Sequence, residues 1–125
     1  MASISLFLTA IFGFLAVALG AFGAHGLKAK LSPEMMTVYQ TAVQYHFFHT
    51  LALLGVAVLL QQQGVQHPTL KACVWLFALG IVVFSGSLYA LALTNIRILG
   101  AITPIGGVLF MAAWVCLAVA AWKTF

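Results

Sequence analysis

The sequence predicts an all-α polytopic membrane protein, a single domain in which four transmembrane helices form one bundle. Of the 125 residues, 65% are hydrophobic and only 5% are charged. Soluble domains carry about 25% charged residues, so this chain lacks the polar surface that a water-facing fold needs. Four apolar runs each reach the roughly 20 residues that a helix needs to cross the hydrocarbon layer. They cover residues 4–24, 41–60, 72–93 and 98–122.

The first apolar run has an alternative interpretation as a secretory signal peptide, because residues 21–24 resemble a small-residue cleavage site. No lysine or arginine precedes the run, whereas a signal peptide begins with a positively charged segment. Its apolar stretch also exceeds the usual length of about 7–15 residues. We therefore interpret residues 4–24 as the first membrane helix.

The second apolar run belongs to a longer predicted helix that starts at residue 33. Ser32, Pro33 and Glu34 form a start signal: a capping hydroxyl, a proline at the first helical position and an acid in the first turn. A helix from residue 33 to residue 60 is longer than the hydrocarbon core is thick. Its first two turns are thus expected to lie among the lipid headgroups, unless the helix tilts.

The fourth apolar run contains a proline, Pro104, for which two arrangements are open. Proline lacks an amide hydrogen and its ring clashes with the preceding helical turn, so it starts, kinks or ends a helix. Pro104 either caps a helix that begins after Thr103 or kinks a longer helix that begins near Arg97. The sequence-based prediction adopted here is the kink.

Basic residues predict the orientation of the chain in the membrane. No basic residue precedes the first helix, and Lys28 and Lys30 follow it. Arg97 falls on the same side, whereas Lys71 and Lys123 fall on the other side. Because basic loops tend to stay in the cytoplasm, both termini are predicted on the non-cytoplasmic side of the cell membrane. Five scattered basic residues make no basic patch, so we expect no nucleic-acid partner.

Small residues form stripes along three of the predicted helices. Small side chains let helix backbones approach closely, which is how helices associate where lipid supplies no hydrophobic driving force. A narrow permeation path lined by backbone is the functional alternative, and we interpret the stripes as packing surfaces. The predicted packing residues are Gly13, Ala16, Gly20, Gly23 and Ala24 in helix 1, Ser85 in helix 3 and Gly107 in helix 4.

The second helix has the most polar face, which is the candidate intramembrane site. Ionisable groups within a membrane are costly unless they face the bundle interior and find partners, and they are functional candidates by default. Gln40 and Gln44 point to another side of the helix. The candidate residues on the polar arc are Tyr39, Tyr45, His46, His49 and Thr50, with His25 near the same side of the membrane.

Two interpretations of His46 and His49 remain open. Neutral imidazoles would hydrogen-bond to partners within the bundle, or they would handle a ligand such as a metal, haem, a lipid or quinone headgroup, or a proton. The two histidines are weak metal candidates because Glu34 is the chain's single carboxylate and no Cys-His spacing typical of zinc is present. Cys73 and Cys116 lie in apolar runs and are interpreted as packing residues. We therefore predict no metal and no cofactor.

Four ordered motifs together resemble a known family of small membrane proteins, domain of unknown function 423, which includes YgdD-like bacterial inner-membrane proteins and the homologous transmembrane protein 256. The resemblance covers nearly the whole chain and implies four membrane spans and a bacterial inner-membrane location, but no reaction. The motifs lie at residues 20–27 (GAFGAHGL), 39–49 (YQTAVQYHFFH), 85–89 (SGSLY) and 97–107 (RILGAITPIGG).

Two classes of function follow from these observations. The first is a non-enzymatic membrane component, either a self-associating bundle or an accessory subunit, whose partners are membrane lipids and either further copies of itself or another membrane protein. The second is a ligand-handling protein that uses the His46/His49 face of helix 2. An enzyme acting on a lipid is less favoured, because no set of nucleophile, base and orienting group can be named.

Overall fold

The computed structural model describes residues 1–62 and 67–124, with Thr124 described by its backbone alone, and contains four long helices. We label them α1 (Ala2–His25), α2 (Pro33–Gln61), α3 (Pro68–Thr94) and α4 (Thr103–Thr124). α1, α2, α3 and the segment Arg97–Lys123, which contains most of α4, are each long and apolar enough to cross a membrane. The described residues contain no strand, and the predicted all-α bundle with four transmembrane helices is confirmed. Residues 63–66 of the predicted polar loop lie outside the described part.

The helices pack in chain order, with α2 and α3 in the middle of the bundle. α2 contacts α1 on one side and α3 on the other, while α4 packs mainly on α3. The largest core cluster lies where α2, α3 and α4 meet, and it includes Leu53, Val56, Phe77 and Phe110, which are all at least 96% buried. The outward faces carry large apolar side chains, as a lipid-facing surface requires.

α2 begins with a capped turn at the predicted residue. The Ser32 hydroxyl accepts a hydrogen bond from the Met35 amide at 3.1 Å, and Pro33 occupies the first helical turn. The helix has 29 residues, which corresponds to a length of about 43 Å. Counting about 20 residues back from its apolar end at Leu60 places the near edge of the hydrocarbon layer close to residue 41.

α3 differs from its prediction in its start and in its middle. It begins at Pro68 rather than at residue 72, because His67 caps the helix and its Nδ1 accepts a hydrogen bond from the Thr69 amide at 3.0 Å. The prediction from hydropathy did not include this polar first turn, because hydropathy does not detect a capping side chain such as that of His67. A π-helical turn, Ile81–Ser85, interrupts the α-helix between Pro68–Gly80 and Gly86–Thr94. The sequence did not predict this turn.

The segment that leads into α4 corrects the sequence-based prediction of a kinked helix. α3 ends at Asn95, which has a left-handed conformation with φ of 58°, and a short 3-10 turn follows at Arg97–Ala101. The α-helix begins only at Thr103, so the predicted kink within one continuous α-helix is wrong. Pro104 is the physical reason: its ring would clash with the carbonyl four residues earlier in an uninterrupted α-helix. The fourth membrane-crossing segment, Arg97–Lys123, nevertheless starts within one residue of the predicted span.

An ion pair joins the start of α2 to the loop between α3 and α4. The Arg97 guanidinium donates to Glu34, with 2.7 Å between Nη1 and Oε1. Both side chains are more than 60% exposed, and exposed ion pairs contribute little to stability. Glu34 is the single acidic side chain of the sequence, so this ion pair engages it at the rim of the bundle.

Candidate functional site

The small-residue stripe of α1 packs against α2 of the same chain. Ala16 is fully buried, and a Cβ atom added at Gly20 would lie 3.4 Å from the Val43 side chain. Gly23 leaves room for the ring of Tyr39, which a Cβ at that position would overlap. Further along, Gly13 faces Thr50 at an ordinary contact distance of 3.8 Å. The fifth stripe residue, Ala24, is exposed.

Tyr39 fixes α1 to α2 with a buried hydrogen bond. Its side chain is only 1% exposed, and its hydroxyl donates to the main-chain carbonyl of Leu19 at 2.5 Å. The adjacent glycine, Gly23, allows the ring to reach that carbonyl without a steric clash. Tyr39 therefore acts as a crosslink between two helices in this structure.

His49 is held by hydrogen bonds on both ring nitrogens. Its Nδ1 lies 2.8 Å from the carbonyl of Tyr45, and its Nε2 lies 3.2 Å from the indole nitrogen of Trp114. Since the indole N–H can only donate, Nε2 accepts and the proton sits on Nδ1, which gives a neutral imidazole. The ring also stacks on Phe110, with 3.6 Å between centroids and 10° between planes. His49 thus connects α2 to α4.

His46 has one partner and one nitrogen without a partner. It is 3% exposed, and its Nδ1 lies 2.9 Å from the hydroxyl of Tyr89 on α3. The main-chain carbonyl of Phe12 lies near the ring, but it does not make a hydrogen bond of acceptable geometry with the second nitrogen, Nε2. Within the described residues, Nε2 of His46 is the buried side-chain polar atom that lacks a partner.

The two remaining residues of the polar arc, Thr50 and Tyr45, differ in burial and in their contacts. Thr50 is buried and its hydroxyl donates to the His46 carbonyl at 2.7 Å, within α2 itself. Tyr45 is 40% exposed, and its ring contacts Phe84 with 4.5 Å between centroids. Beside this arc, the predicted packing residue Ser85 donates to the Ala42 carbonyl of α2 at 2.8 Å.

The structure does not bring His25 to the other histidines. His25 is exposed at the end of α1, beyond the level at which Gly23 meets Tyr39. Seven residues of α2 separate Tyr39 from His46, a distance of about 10 Å along the helix axis. No group of three or more His, Cys, Asp or Glu side chains that could hold a metal ion occurs among the residues described. The buried Cys73 thiol donates to the Ala113 carbonyl, with 3.6 Å between sulfur and oxygen.

Sequence reasoning missed the partners that complete this site. Tyr89 was noted only as part of a motif, and Trp114 was not noted at all. A tryptophan in the middle of a membrane helix carries a donor that needs an acceptor, so Trp114 could have been matched with a histidine. The predicted packing residue Gly107 is half-buried beside the Phe84 ring, while its neighbour Gly106, which was not predicted as a packing residue, is buried against the Phe84 backbone of α3.

A groove follows the outer side of the α1–α2 contact, and its lining includes the exposed polar side chains of Lys28, Gln40 and Gln44. Its volume is about 550 Å³. We call it the α1–α2 groove, and it is lined by Gly20, Gly23, Ala24 and Lys28 on one side and by Met36, Tyr39, Gln40, Val43 and Gln44 on the other.

Comparison with known proteins places the chain in a family. The family described as "Protein of unknown function (DUF423)" matches residues 19–107, which is more than half of the chain. The chain belongs to the DUF423 family. The resemblance recognised from the four motifs is therefore confirmed. No solved structure matches this DUF423 protein.

Several bacterial relatives share most of their length with this DUF423 protein. It is 51% identical over 117 residues to the UPF0382 membrane protein YwdK of Bacillus subtilis, covering 93% of this chain and 94% of the relative. It is 44% identical over 122 residues to the UPF0382 inner membrane protein YgdD of Escherichia coli, covering 93% and 87%. A UPF0382 membrane protein of Staphylococcus epidermidis is 48% identical over 116 residues, covering 93% of each chain. The protein is thus a small integral membrane protein of a family whose function is unknown.

Proposed function

We propose that this protein is a non-enzymatic assembly component of the bacterial inner membrane and that it associates with a second copy of itself through the α1–α2 groove. The observation that carries the proposal is Gln44. Its side chain is exposed on the outer surface of α2. Within the described residues, the α2 side chains that make hydrogen bonds are those of Glu34, Tyr39 and the Thr and His residues, but not that of Gln44.

The depth of Gln44 makes an unpaired amide costly. The hydrocarbon layer begins near residue 41 of α2, so Gln44 lies about one helical turn inside it. A polar amide that is transferred from water into an apolar medium without a hydrogen bond costs roughly 2–7 kcal/mol. Lipid chains offer no partner at this depth. An amide from another protein segment would supply both the donor and the acceptor.

A second copy matches the chemistry of Gln44 because a primary amide is both donor and acceptor. Around a two-fold axis the same patch faces itself, so the two Gln44 amides can bond to each other. The exposed Ala24 and the partly exposed Gly20 line the groove, and their small size would let the second copy approach closely. Interhelical polar bonds in membranes contribute about 0.6–2 kcal/mol each, which adds to the packing energy.

The polar face of α2 supports the non-enzymatic part of the proposal. Tyr39, His49 and Ser85 each bond to a neighbouring helix, so their chemistry is used in holding the bundle together. The single carboxylate, Glu34, is paired with Arg97 at the rim. A hydrolytic or transfer reaction requires a nucleophile with a base and an orienting group, and these contacts leave no such set among the residues described.

Removal of the Gln44 amide is expected to convert the protein to a monomer in mild detergent. Gln44→Leu keeps the helix propensity and the size of the side chain but removes the donor and the acceptor. The measurement is native mass spectrometry of the purified protein, with wild type expected as a dimer. Thr41→Val is the matched control, because the Thr41 hydroxyl donates within its own helix to the Thr37 carbonyl at 3.0 Å.

A dimer that persists in Gln44→Leu would contradict this interface. A monomeric wild type that retains an anionic phospholipid, and loses it in Gln44→Leu, would equally contradict it, because the groove would then be a lipid site next to Lys28.

We further propose that both termini face the non-cytoplasmic side, on the basis of Lys28 and Lys30 after α1. Reporter fusions at each terminus are expected to report the same, non-cytoplasmic compartment. Replacing both lysines by glutamine is expected to yield a mixture of orientations, because the remaining basic residues are two on one side and one on the other. An unchanged orientation in this variant would mean that these lysines do not set it.

A further inference from the structure

The α1–α2 groove has a charged end at the depth of the lipid headgroups. Gly23 and Tyr39 lie level with each other, because a Cβ added at Gly23 would overlap the Tyr39 ring. α1 ends shortly afterwards at His25, and Lys28 follows in the loop. Since the hydrocarbon layer begins near residue 41 of α2, Lys28 lies outside it. The groove therefore runs from Lys28 at headgroup depth to Gln44 within the hydrocarbon.

The positive charge of Lys28 has no acidic side chain to pair with. Glu34, the single acidic residue of the sequence, is bonded to the Arg97 guanidinium at 2.7 Å. Across residues 1–62 and 67–124, the ion pair between these two side chains does not extend to Lys28, which is exposed. An anion that neutralises Lys28 must consequently come from outside the chain.

Gln40 adds neutral hydrogen-bond donors to the same end of the groove. Its exposed side chain lines the groove together with Lys28 and lies one helical turn closer to the headgroups than Gln44. A primary amide has two N–H donors and an ammonium group has three. Together they suit an anion that carries several acceptor oxygens. A phosphodiester is such an anion, and lysine is a common ligand of phosphate groups.

The proposed dimer, on which this inference rests, brings two charged ends together. Every copy has the same loop charges and inserts in the same direction, so a two-fold axis between two copies runs along the membrane normal. Each groove residue then faces its counterpart at the same depth. Gln44 meets Gln44 in the hydrocarbon, and Lys28 approaches Lys28 among the headgroups. The two like charges repel each other unless an anion lies between them.

We propose that the phosphodiester of an anionic phospholipid binds between the Lys28 ammonium groups of the two copies, at the headgroup end of the α1–α2 groove. The source is a lipid because the site lies at the depth where phospholipid phosphates are concentrated. Basic pockets between membrane helices bind headgroups of this kind. Two lipids with one phosphate each, or one lipid with two phosphates, supply the same chemistry.

Lys30 allows a matched control for Lys28. Both lysines are exposed in the loop after α1, but Lys30 is not part of the groove lining. Lys28→Gln and Lys30→Gln remove the same charge from the same loop, so a general attraction of this loop to anionic lipid falls equally in both variants. A site in the groove loses its lipid only in Lys28→Gln. Lys28→Arg keeps the charge and the ability to donate to phosphate.

The experiment counts the lipids bound to the purified protein by native mass spectrometry. The protein is kept in mild detergent with added phosphatidylglycerol, diphosphatidylglycerol or the zwitterionic phosphatidylcholine. We expect the dimers of wild type and Lys30→Gln to retain both anionic lipids in preference to phosphatidylcholine, with one lipid phosphate for each Lys28. The affinity should fall about tenfold in Lys28→Gln, through loss of a charge-assisted hydrogen bond, and recover in Lys28→Arg.

Anionic lipid is also expected to stabilise the dimer, because a ligand that binds the pair of chains favours their association. On dilution, the wild-type dimer should dissociate more readily in phosphatidylcholine than in phosphatidylglycerol. The Lys28→Gln dimer should dissociate equally in the two lipids, because it lacks both the repulsion and the lipid contact.

The outcomes separate this site from the dimer itself. A wild type that is monomeric in all three lipids would overturn both the association and the lipid site. A dimer that retains no anionic lipid, or loses it equally in Lys28→Gln and Lys30→Gln, would overturn the lipid site alone. Equal affinity of anionic lipid for monomer and dimer would overturn it too, because binding would not require two Lys28 side chains.

Discussion

Gly106→Ala is expected to destabilise the bundle by roughly 1–3 kcal/mol, the range observed for overpacked cores. At Gly106, α4 lies against the backbone of the π-helical turn in α3, and an added Cβ would be 2.6 Å from the Cα of Phe84. Backbone atoms cannot move aside as a flexible side chain can, so the two helices must separate. The measurement is thermal unfolding in detergent, read from helical circular dichroism.

The neighbouring residue supplies the control for this prediction. At Gly107 an added Cβ would lie 4.0 Å from the Phe84 ring, an ordinary van der Waals distance. Both substitutions gain the same helix propensity, about 1 kcal/mol in soluble helices, so their difference isolates the close approach. Equal unfolding temperatures for Gly106→Ala and Gly107→Ala would contradict the described packing of α4 on α3.

His49→Ala is expected to cost roughly 2–4 kcal/mol, because it leaves the Trp114 donor without its acceptor and removes a ring stacked on Phe110. A double-mutant cycle with Trp114→Phe separates these contributions. Trp114→Phe removes the indole donor, so His49→Ala should cost about 1 kcal/mol less in that background. Strictly additive effects would mean that the two side chains do not interact.

Most of the fold could be predicted because its main determinants are local in the sequence. Four apolar runs specify four helices, and Ser32 with Pro33 specifies where α2 begins. The start of α4 was not predicted correctly, because Pro104 permits either a kink or a new helix. The preceding chain decides between them, as Asn95 ends α3 and a 3-10 turn follows.

The candidate site could be predicted only in part, because its residues come from different helices. Periodicity along α2 grouped His46 and His49 on one face, but it gave no information on which helix would face them. The difference between the two residues depends on Tyr89 and Trp114, which lie 43 and 65 positions away in the sequence. Likewise, the small residues of α1 predicted that this helix packs closely on a neighbour. Only the structure shows that the neighbour is α2 of the same chain.

The proposed association through the α1–α2 groove is tested most directly by cysteine crosslinking in native membranes. Ala24 is exposed in the groove, so Ala24→Cys places a thiol at the interface while Gln44 stays intact. The background is Cys73→Ala with Cys116→Ala, and a short bis-maleimide joins nearby thiols. Val82→Cys, on the lipid-facing side of α3, controls for random collision.

We expect a crosslinked dimer with Ala24→Cys, little with Val82→Cys, and loss of the dimer when Gln44→Leu is added to Ala24→Cys. Crosslinking of Ala24→Cys no stronger than that of Val82→Cys, or crosslinking unaffected by Gln44→Leu, would contradict an assembly held at this groove.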